Sequence, residues 1–349
     1  MIPTTHRVLF LLAPETVELR QRPVPSPKPG ELLLRVDAAT TCGTDLKVYR
    51  RGGHPRMLET PCPFGHEVAG SVAAVGKGVA QWAEGDRVVI ANSASCGRCE
   101  PCLAGRENLC QDLRYVNGAY AEYLLVPERF VRRSTYRVPD GLDPAVAALA
   151  EPLACVLHGL STVRDVDADE VLVLGGGPIG LMFVIELACQ GRRVILGDLV
   201  PARLEIARSL GAAQVVRLSG ESDDSQRLVA ATRGCRGAGL VVEATGVPGA
   251  WINGINAVAM GGTAVLFGGC APGTHVACDG HRLHYSELTI KGVYHHRPAT
   301  FMAALERLGS DGDRFAALLS EERPLAEVEL ALRRMGERKI LKAAIRPSL

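Results

Sequence analysis

VLVLGGGPIG, residues 171–180, reads as a strand, a glycine turn and the opening of a helix. Gly175, Gly177 and Gly180 stand at G-x-G-x-x-G spacing. In that pattern the first glycine permits a tight turn, the second lets backbone approach a pyrophosphate, and the third lets the helix pack on the strand. Pro178 and Ile179 begin the helix, whose free N–H groups and positive dipole end suit phosphate. A glycine run alone is weak evidence, because it can be only a turn. Its setting strengthens it: the strand-like RVILGD at 193–198 follows and ends in Asp198, at the distance expected of a carboxylate that binds the ribose of a dinucleotide. The same carboxylate opposes a 2′-phosphate by roughly a few kcal/mol of like-charge repulsion, so NAD is expected over NADP. Arg203, a few residues on, could accommodate that phosphate, stack on adenine or lie on the surface.

Outward from this motif the second half of the chain alternates. EPLACVLHGLSTV from residue 151 reads as a helix, and then come VLVLG, PIGLMFVIELACQ, RVILGD, PARLEIARSLG, LVVEATG, WINGINAVAM (a helix) and TAVLFGG. Alternation of strand and helix predicts crossover units and a parallel sheet, an α/β fold. Residues 1 to about 150 differ in texture, with short β-branched runs such as ELLLRVDAA and DRVVIA between Gly and Pro, and read as mostly β. After ELTIKGVY helical patterning runs from Thr300 to Leu319, and the chain ends in a strand-like KAAIRP. This tail is too short to fold alone and is expected to pack back on the first part. A length of 349 residues fits two domains better than one.

A net charge of +1 with 22% charged residues offers no basic field for nucleic acid, so a small-molecule partner is expected. The run VLFLLA at 8–13 is too short for an export signal, and no stretch approaches a membrane span. A cytoplasmic setting with reduced thiols is therefore expected. Eleven cysteines is an odd number, and four of them fall in CGRCEPCLAGRENLC at 96–110. Cys96, Cys99, Cys102 and Cys110 offer four thiolates in one loop, enough to close a tetrahedral zinc with no position open to substrate. A nucleic-acid zinc ribbon and four unmetallated thiols are the alternatives, and the charge balance disfavours the first.

A second set is spread more widely: Cys42 in TTCGTDLKVY, His66 and Glu67 in PFGHEVAG, and Glu151 in AEPLACVLHG. Each has an ordinary reading as a buried thiol, a turn histidine or a helix-start carboxylate. Together they supply one sulfur, one nitrogen and one or two oxygens, enough for zinc with a vacant place. Spacing alone does not connect them.

CGTD, GHEVAGSVAAVGKGV, the four-cysteine loop, EPL before a helix and GGGPIG, in that order, resemble the zinc-dependent medium-chain dehydrogenases/reductases over essentially the whole chain. Glu151, where liver-type alcohol dehydrogenases have a cysteine, looks like the sorbitol and threonine dehydrogenase branch. The resemblance implies a GroES-like β-rich catalytic domain over 1–152 with a structural zinc lobe at about 92–112. It also implies a Rossmann doubly wound NAD-binding domain over 153–292 and a return to the catalytic domain over 293–349. It implies two zinc ions per chain, the catalytic one held by Cys42, His66 and Glu151 with Glu67 beside it, and assembly as a homodimer or homotetramer. Thr44 matches the family's proton-relaying hydroxyl, although it could be a turn residue. Many members carry histidine three residues later, where this chain has Lys47, a relay, a substrate contact or a solvated cation. Lys342 aligns with a basic residue that touches the cofactor pyrophosphate. His295, His296 and Arg297 in GVYHHRP fall where polyol dehydrogenases line the substrate pocket, and would suit a hydroxyl-rich or anionic substrate. The expected reaction interconverts a secondary alcohol (polyol, sugar alcohol or cyclitol) and its ketone, with an L-threonine 3-dehydrogenase-like activity as the alternative. A non-enzymatic dinucleotide binder is disfavoured, because every candidate catalytic ligand is present.

Overall fold

Runs apolar along their whole length, such as VLVL and VILG, make strands buried on both faces, as helix-covered parallel sheets require. In the computed structural model, which describes residues 1–221 and 223–349, they lie at the centre of a six-stranded sheet. The strand order is Gln214–Arg217, Arg193–Asp198, Glu170–Leu174, Ala238–Glu243, Val258–Leu266 and Thr289–Gly292, with every neighbouring pair parallel. Val171 to Leu174 are almost entirely inaccessible. The order reverses between Glu170–Leu174 and Ala238–Glu243, so the loops leaving their carboxyl ends face the switch point where open α/β sheets bind ligands. This sheet and its helices form one compact unit, residues 156–295; residues 1–155 with 296–349 form another. These divisions compare with expected boundaries after residues 152 and 292.

Two elements of the parallel unit differ from the sequence reading. The helix there is Pro248–Asn256, and the last residues of WINGINAVAM belong to the strand Val258–Leu266. Val258, 2% exposed, pairs parallel with Ala238 of the neighbouring strand, a long-range contact that a local window centred on the helix does not show. The strand Gln214–Arg217 and the helix Asp224–Ala230, too short for a clear period, were not anticipated.

In the other unit the strand Leu32–Thr40 is central. It pairs antiparallel with Glu67–Val75, Tyr123–Val126 and the C-terminal strand Lys342–Arg346. Arg87–Ile90 and Thr135–Arg137 extend the sheet on one side and Leu319–Pro324 on the other. Register sets up the site: Thr40 lies opposite Glu67, and Ala344 opposite Thr40. The residues just past Thr40 and just before Glu67 therefore leave the sheet at one end. The helix expected to reach Leu319 spans Pro298–Ala316, with a break at Asp311, and Leu319 begins a strand. That strand, LSEERP, carries charges where apolar residues would alternate. Glu321 is answered by Arg323 and Arg334 at 3.0 and 3.3 Å, so its period was invisible in hydropathy. The helix Val328–Gly336 was likewise not foreseen. Among the described residues no helix is long and apolar enough to cross a membrane.

Gly180 has the tightest constraint in the glycine turn, since a Cβ there would lie 1.7 Å from the Gly175 carbonyl oxygen. Gly180→Ala is expected to separate helix from strand and destabilise the parallel unit by about 1–3 kcal/mol. A shifted urea midpoint checks this; an unchanged midpoint would show that the turn can yield.

Candidate active site

Cys42 is the N-cap of the helix Gly43–Arg51, and its Sγ accepts from the Thr44 N–H at 3.4 Å. Asp45, at the third position of that helix, closes a reciprocal cap by accepting from the Cys42 N–H at 3.0 Å. The same carboxylate lies 2.8 Å from His66 Nδ1 and accepts from the Tyr120 hydroxyl at 2.6 Å. Holding Nδ1–H in this way fixes the tautomer of His66 and leaves its other nitrogen as a donor to a metal. The other side of the ring meets Cys42. Burial works against a charge on His66, but Asp45 outweighs it and holds the imidazole well above its ordinary pKa.

Ligand atoms of Cys42, His66 and Glu67 all lie within 4.8 Å of one another. Glu67, fully buried, is also the anion of an ion pair: Lys342 Nζ is 2.9 and 2.7 Å from its two oxygens, and Thr40 Oγ1 donates to it. Lys342, expected against a pyrophosphate, is thus placed on Glu67 and is 2% exposed. Glu151, in the helix Ala150–Ser161, is also buried, and burial first, then the nearby Glu67 and Asp45, push its carboxyl up to about 7 against the pull of His66 and Lys342. Its ligand oxygen lies within 4.8 Å of His296. The sulfur, imidazole and Glu67 carboxylate, close together in a desolvated setting, fit zinc, while Glu151 falls in a separate group with His296 rather than with Cys42 and His66.

The other expected residues of this unit divide. Thr44 is half-buried beside Cys42, and Lys47 is exposed one turn further along the same helix. His296 is buried with Nε2 3.2 Å from Asn92 Oδ1 and its ring edge-on to Phe301. Arg297 caps the helix Pro298–Ala316, and its Nη1 donates to the Gly105 carbonyl at 3.0 Å, tying this segment to the cysteine loop. His295, in the parallel unit, adopts a left-handed φ of 61°.

Sulfurs of Cys96, Cys99, Cys102 and Cys110 lie within 4.8 Å of one another, with Cys99 Sγ 3.4 Å from Cys102 Sγ and 3.8 Å from Cys110 Sγ. With metal–sulfur bonds of about 2.3 Å, a tetrahedron spaces its sulfurs about 3.8 Å apart, so the loop fits a closed zinc site. Backbone N–H groups of Arg98 and Cys99 pull Cys96 down to about 6, while burial pushes Cys110 up to about 12. Four thiols this close ionise together only around a cation.

In the parallel unit Gly175 has φ 103°, and a Cβ there would meet Thr245 at 2.6 Å. A Cβ at Gly177 would meet nothing within 4 Å, and Gly177 is the N-cap of the helix Pro178–Cys189, without a side-chain cap bond. Open space before an uncapped helix N-terminus fits a pyrophosphate. Asp198 Oδ2 accepts from the Gly176 N–H and Oδ1 from the Val200 N–H, both at 2.6 Å. Arg203 Nη1 lies 4.0 Å from the same carboxylate.

Residues 28–140 match the family model described as the alcohol dehydrogenase GroES-like domain, and residues 178–310 match that described as zinc-binding dehydrogenase. The chain belongs to the zinc-dependent medium-chain dehydrogenases/reductases. It is 35% identical over 335 residues to the D-altritol 5-dehydrogenase of Agrobacterium fabrum, covering 93% of this chain and 94% of the relative. It is 30% identical over 349 residues to the L-galactonate-5-dehydrogenase of Escherichia coli K12, covering 98% and 99%. A zinc-binding dehydrogenase of Sinorhizobium meliloti bound to NADP superposes with a TM-score of 0.88 at 29% identity, covering 99% of this chain and all of that one. This medium-chain dehydrogenase is accordingly an enzyme, a secondary-alcohol oxidoreductase that uses zinc and a nicotinamide dinucleotide.

Sequence reasoning missed Asp45, Thr40, Asn92 and Tyr120. Asp45 carried a signal, standing three residues after Cys42 as a capping-box carboxylate does. The others carried none, since a threonine ending a strand and a tyrosine in a loop look ordinary.

The Glu67–Lys342 pair is buried on both sides. Lys342→Met would leave a carboxylate unanswered in the interior, and is expected to cost about 3–5 kcal/mol of stability. Adding Glu67→Gln should recover part of the loss in a urea melt. No recovery would mean that Lys342 acts through packing of its stem rather than through its charge.

Proposed function

We propose that this enzyme oxidises a secondary hydroxyl of a polyol, sugar alcohol or cyclitol to the ketone, and runs the reverse reduction, with NAD in preference to NADP. The observation that carries this reading is the convergence of Cys42, His66 and Glu67 within 4.8 Å, with Asp45 holding the far nitrogen of His66. Cys42, His66 and Glu151 would hold the catalytic zinc, with Glu67 as the buried counter-charge behind it, and the four cysteines a second, structural zinc. When bound, zinc supplies Lewis acidity toward the alcohol oxygen and the nicotinamide accepts hydride.

The chain's own groups do the rest. The alcohol loses a hydride from carbon and a proton from oxygen, and the Thr44 hydroxyl, two residues after Cys42, would accept that proton while passing its own on toward Lys47 or solvent. Lys47, exposed on the same helix, is the outer station or a substrate contact. His296, beside Glu151, borders the substrate; Arg297, engaged with Gly105, stabilises the segment from the cysteine loop. Gly175, Gly177 and Gly180 with Pro178 and Ile179 receive the pyrophosphate. Asp198 accepts the adenosine ribose hydroxyls and repels a 2′-phosphate, while Arg203, near the same carboxylate, is partly neutralised by it.

Two experiments test the reading. Screening polyols, cyclitols and L-threonine should give reduction of NAD that exceeds reduction of NADP, with polyols turned over best; Asp198→Ala should narrow the cofactor preference by about tenfold or more, as 1.4 kcal/mol of lost discrimination would. A wild type that prefers NADP would show that Arg203 prevails at this position. Metal analysis should return two zinc ions per chain. Cys42→Ser should abolish turnover with the fold retained and one zinc lost, whereas Cys99→Ser should lower stability. A single zinc in fully active protein would refute the two-site assignment.

A further inference from the structure

Tyr120 is the bulkiest side chain with no exposure, and no part of the proposed reaction uses it. Its backbone is fixed on both sides, by Tyr120 N–H donating to the Phe64 carbonyl at 3.0 Å and by Leu9 N–H donating to the Tyr120 carbonyl at 2.9 Å. Its ring stands edge-on to Phe64, with centroids 5.5 Å apart and planes at 83°. The ring also fills the space over Gly65, where a Cβ would come within 2.7 Å of it. Gly65, at φ 90°, immediately precedes His66.

A buried phenol must place its hydroxyl, and two acceptors lie near: Asp45 Oδ2 at 2.6 Å and the Thr40 carbonyl at 3.3 Å. The hydroxyl has one proton. The shorter distance is that of a charge-assisted O–H···O⁻ bond, so the proton goes to Asp45. Asp45 in turn has a second donor in the Cys42 N–H, and its other oxygen takes His66 Nδ1. A carboxylate held by two fixed donors cannot rotate away from the imidazole. Tyr120 therefore controls His66 from two directions, through Asp45 at the far nitrogen and through Gly65 along the backbone.

We propose that Tyr120 is a positioning residue of the catalytic metal centre, acting through Asp45 on His66. This rests on Cys42, His66 and Glu151 being the ligand set. It assigns the tyrosine a task in metal retention rather than in packing alone. Partners that orient ligating histidines change metal affinity by about 10–100-fold when removed, which sets the size of the effect.

The test is chelator competition on the full-length protein, following zinc release from the two sites, with the four-cysteine site as internal control. Tyr120→Phe should lower the affinity of the catalytic site about tenfold and leave the control site unchanged, and Asp45→Asn should lower it by at least as much. In the Asp45→Asn background Tyr120→Phe should then add little, because its route is gone. Unchanged zinc affinity in Tyr120→Phe with only a lower urea midpoint would reduce Tyr120 to a packing role. Additive losses in the double variant would show that it does not act through Asp45. If Tyr120→Phe does not fold, wild-type protein labelled with ¹³C at the tyrosine Cζ carries the test, assigned by replacing the other six tyrosines singly. The Tyr120 resonance should move when the catalytic zinc is withdrawn and return when it is restored; a resonance that stays put overturns the inference. Cys42→Ser separates the two readings: if it keeps both zinc ions, the ligand set is wrong regardless of Tyr120.

Discussion

Three carboxylates, Asp45, Glu67 and Glu151, are buried around one imidazole, and the unit that carries them is organised by the need to answer each charge. An uncompensated carboxylate in the interior is costly, and removing the partner of a buried ion is among the more destabilising changes a protein can suffer. Glu67 is answered by Lys342 across 275 residues of sequence. That pair, with Thr40 between the two strands, holds Glu67–Val75 and Lys342–Arg346 to the central strand Leu32–Thr40. Asp45 is answered by a backbone N–H, a phenol and the imidazole. Glu151 is different: among the described residues the donor that meets it is the Cys155 thiol at 4.0 Å, and its carboxyl is pushed up to about 7, chiefly by burial. A buried carboxylate in that condition, near enough to His66 to feel its charge, gains from any further cation beside it.

The dinucleotide half shows the same economy with a different device. Asp198 ends its strand with both oxygens on backbone N–H groups, one of them in the glycine turn itself. The residue proposed to choose the cofactor therefore also shapes the loop that would receive it. Gly175 and Gly180 are excluded from carrying side chains by their neighbours, whereas Gly177 faces open space. The pattern of glycines thus separates into two that make the turn and one that leaves room beyond it.

Polar residues in a loop invite assignment to the substrate, and here tertiary contacts redistribute them. Arg297 reaches the carbonyl of Gly105 in the cysteine loop, and His296 reaches Asn92 just upstream of that loop. The cysteine loop, read in the sequence as a closed metal site, is consequently also a support for the segment that carries His296. Tyr136, stacked on Phe301 at 4.8 Å, adds to the same support, since Phe301 also meets His296.

Much was legible without coordinates. Continuous apolar strands, the G-x-G-x-x-G spacing and the C-x2-C-x2-C-x7-C loop are local patterns, and local geometry fixes their meaning: a turn, a helix end, four sulfurs within reach of one ion. The parallel sheet followed from alternation, and the candidate metal ligands were named by resemblance to a family. What the chain could not state by itself is which distant residues meet. Thr40 opposite Glu67 and Ala344 opposite Thr40 are facts of strand register, and register places Lys342 on Glu67. Tyr120 on Asp45 depends on a loop crossing that no spacing encodes. Charged strands such as LSEERP hid because their inward residues are paired with one another rather than apolar. Short-range chemistry is written in sequence order, whereas compensation of buried charge is settled only when the chain has closed on itself.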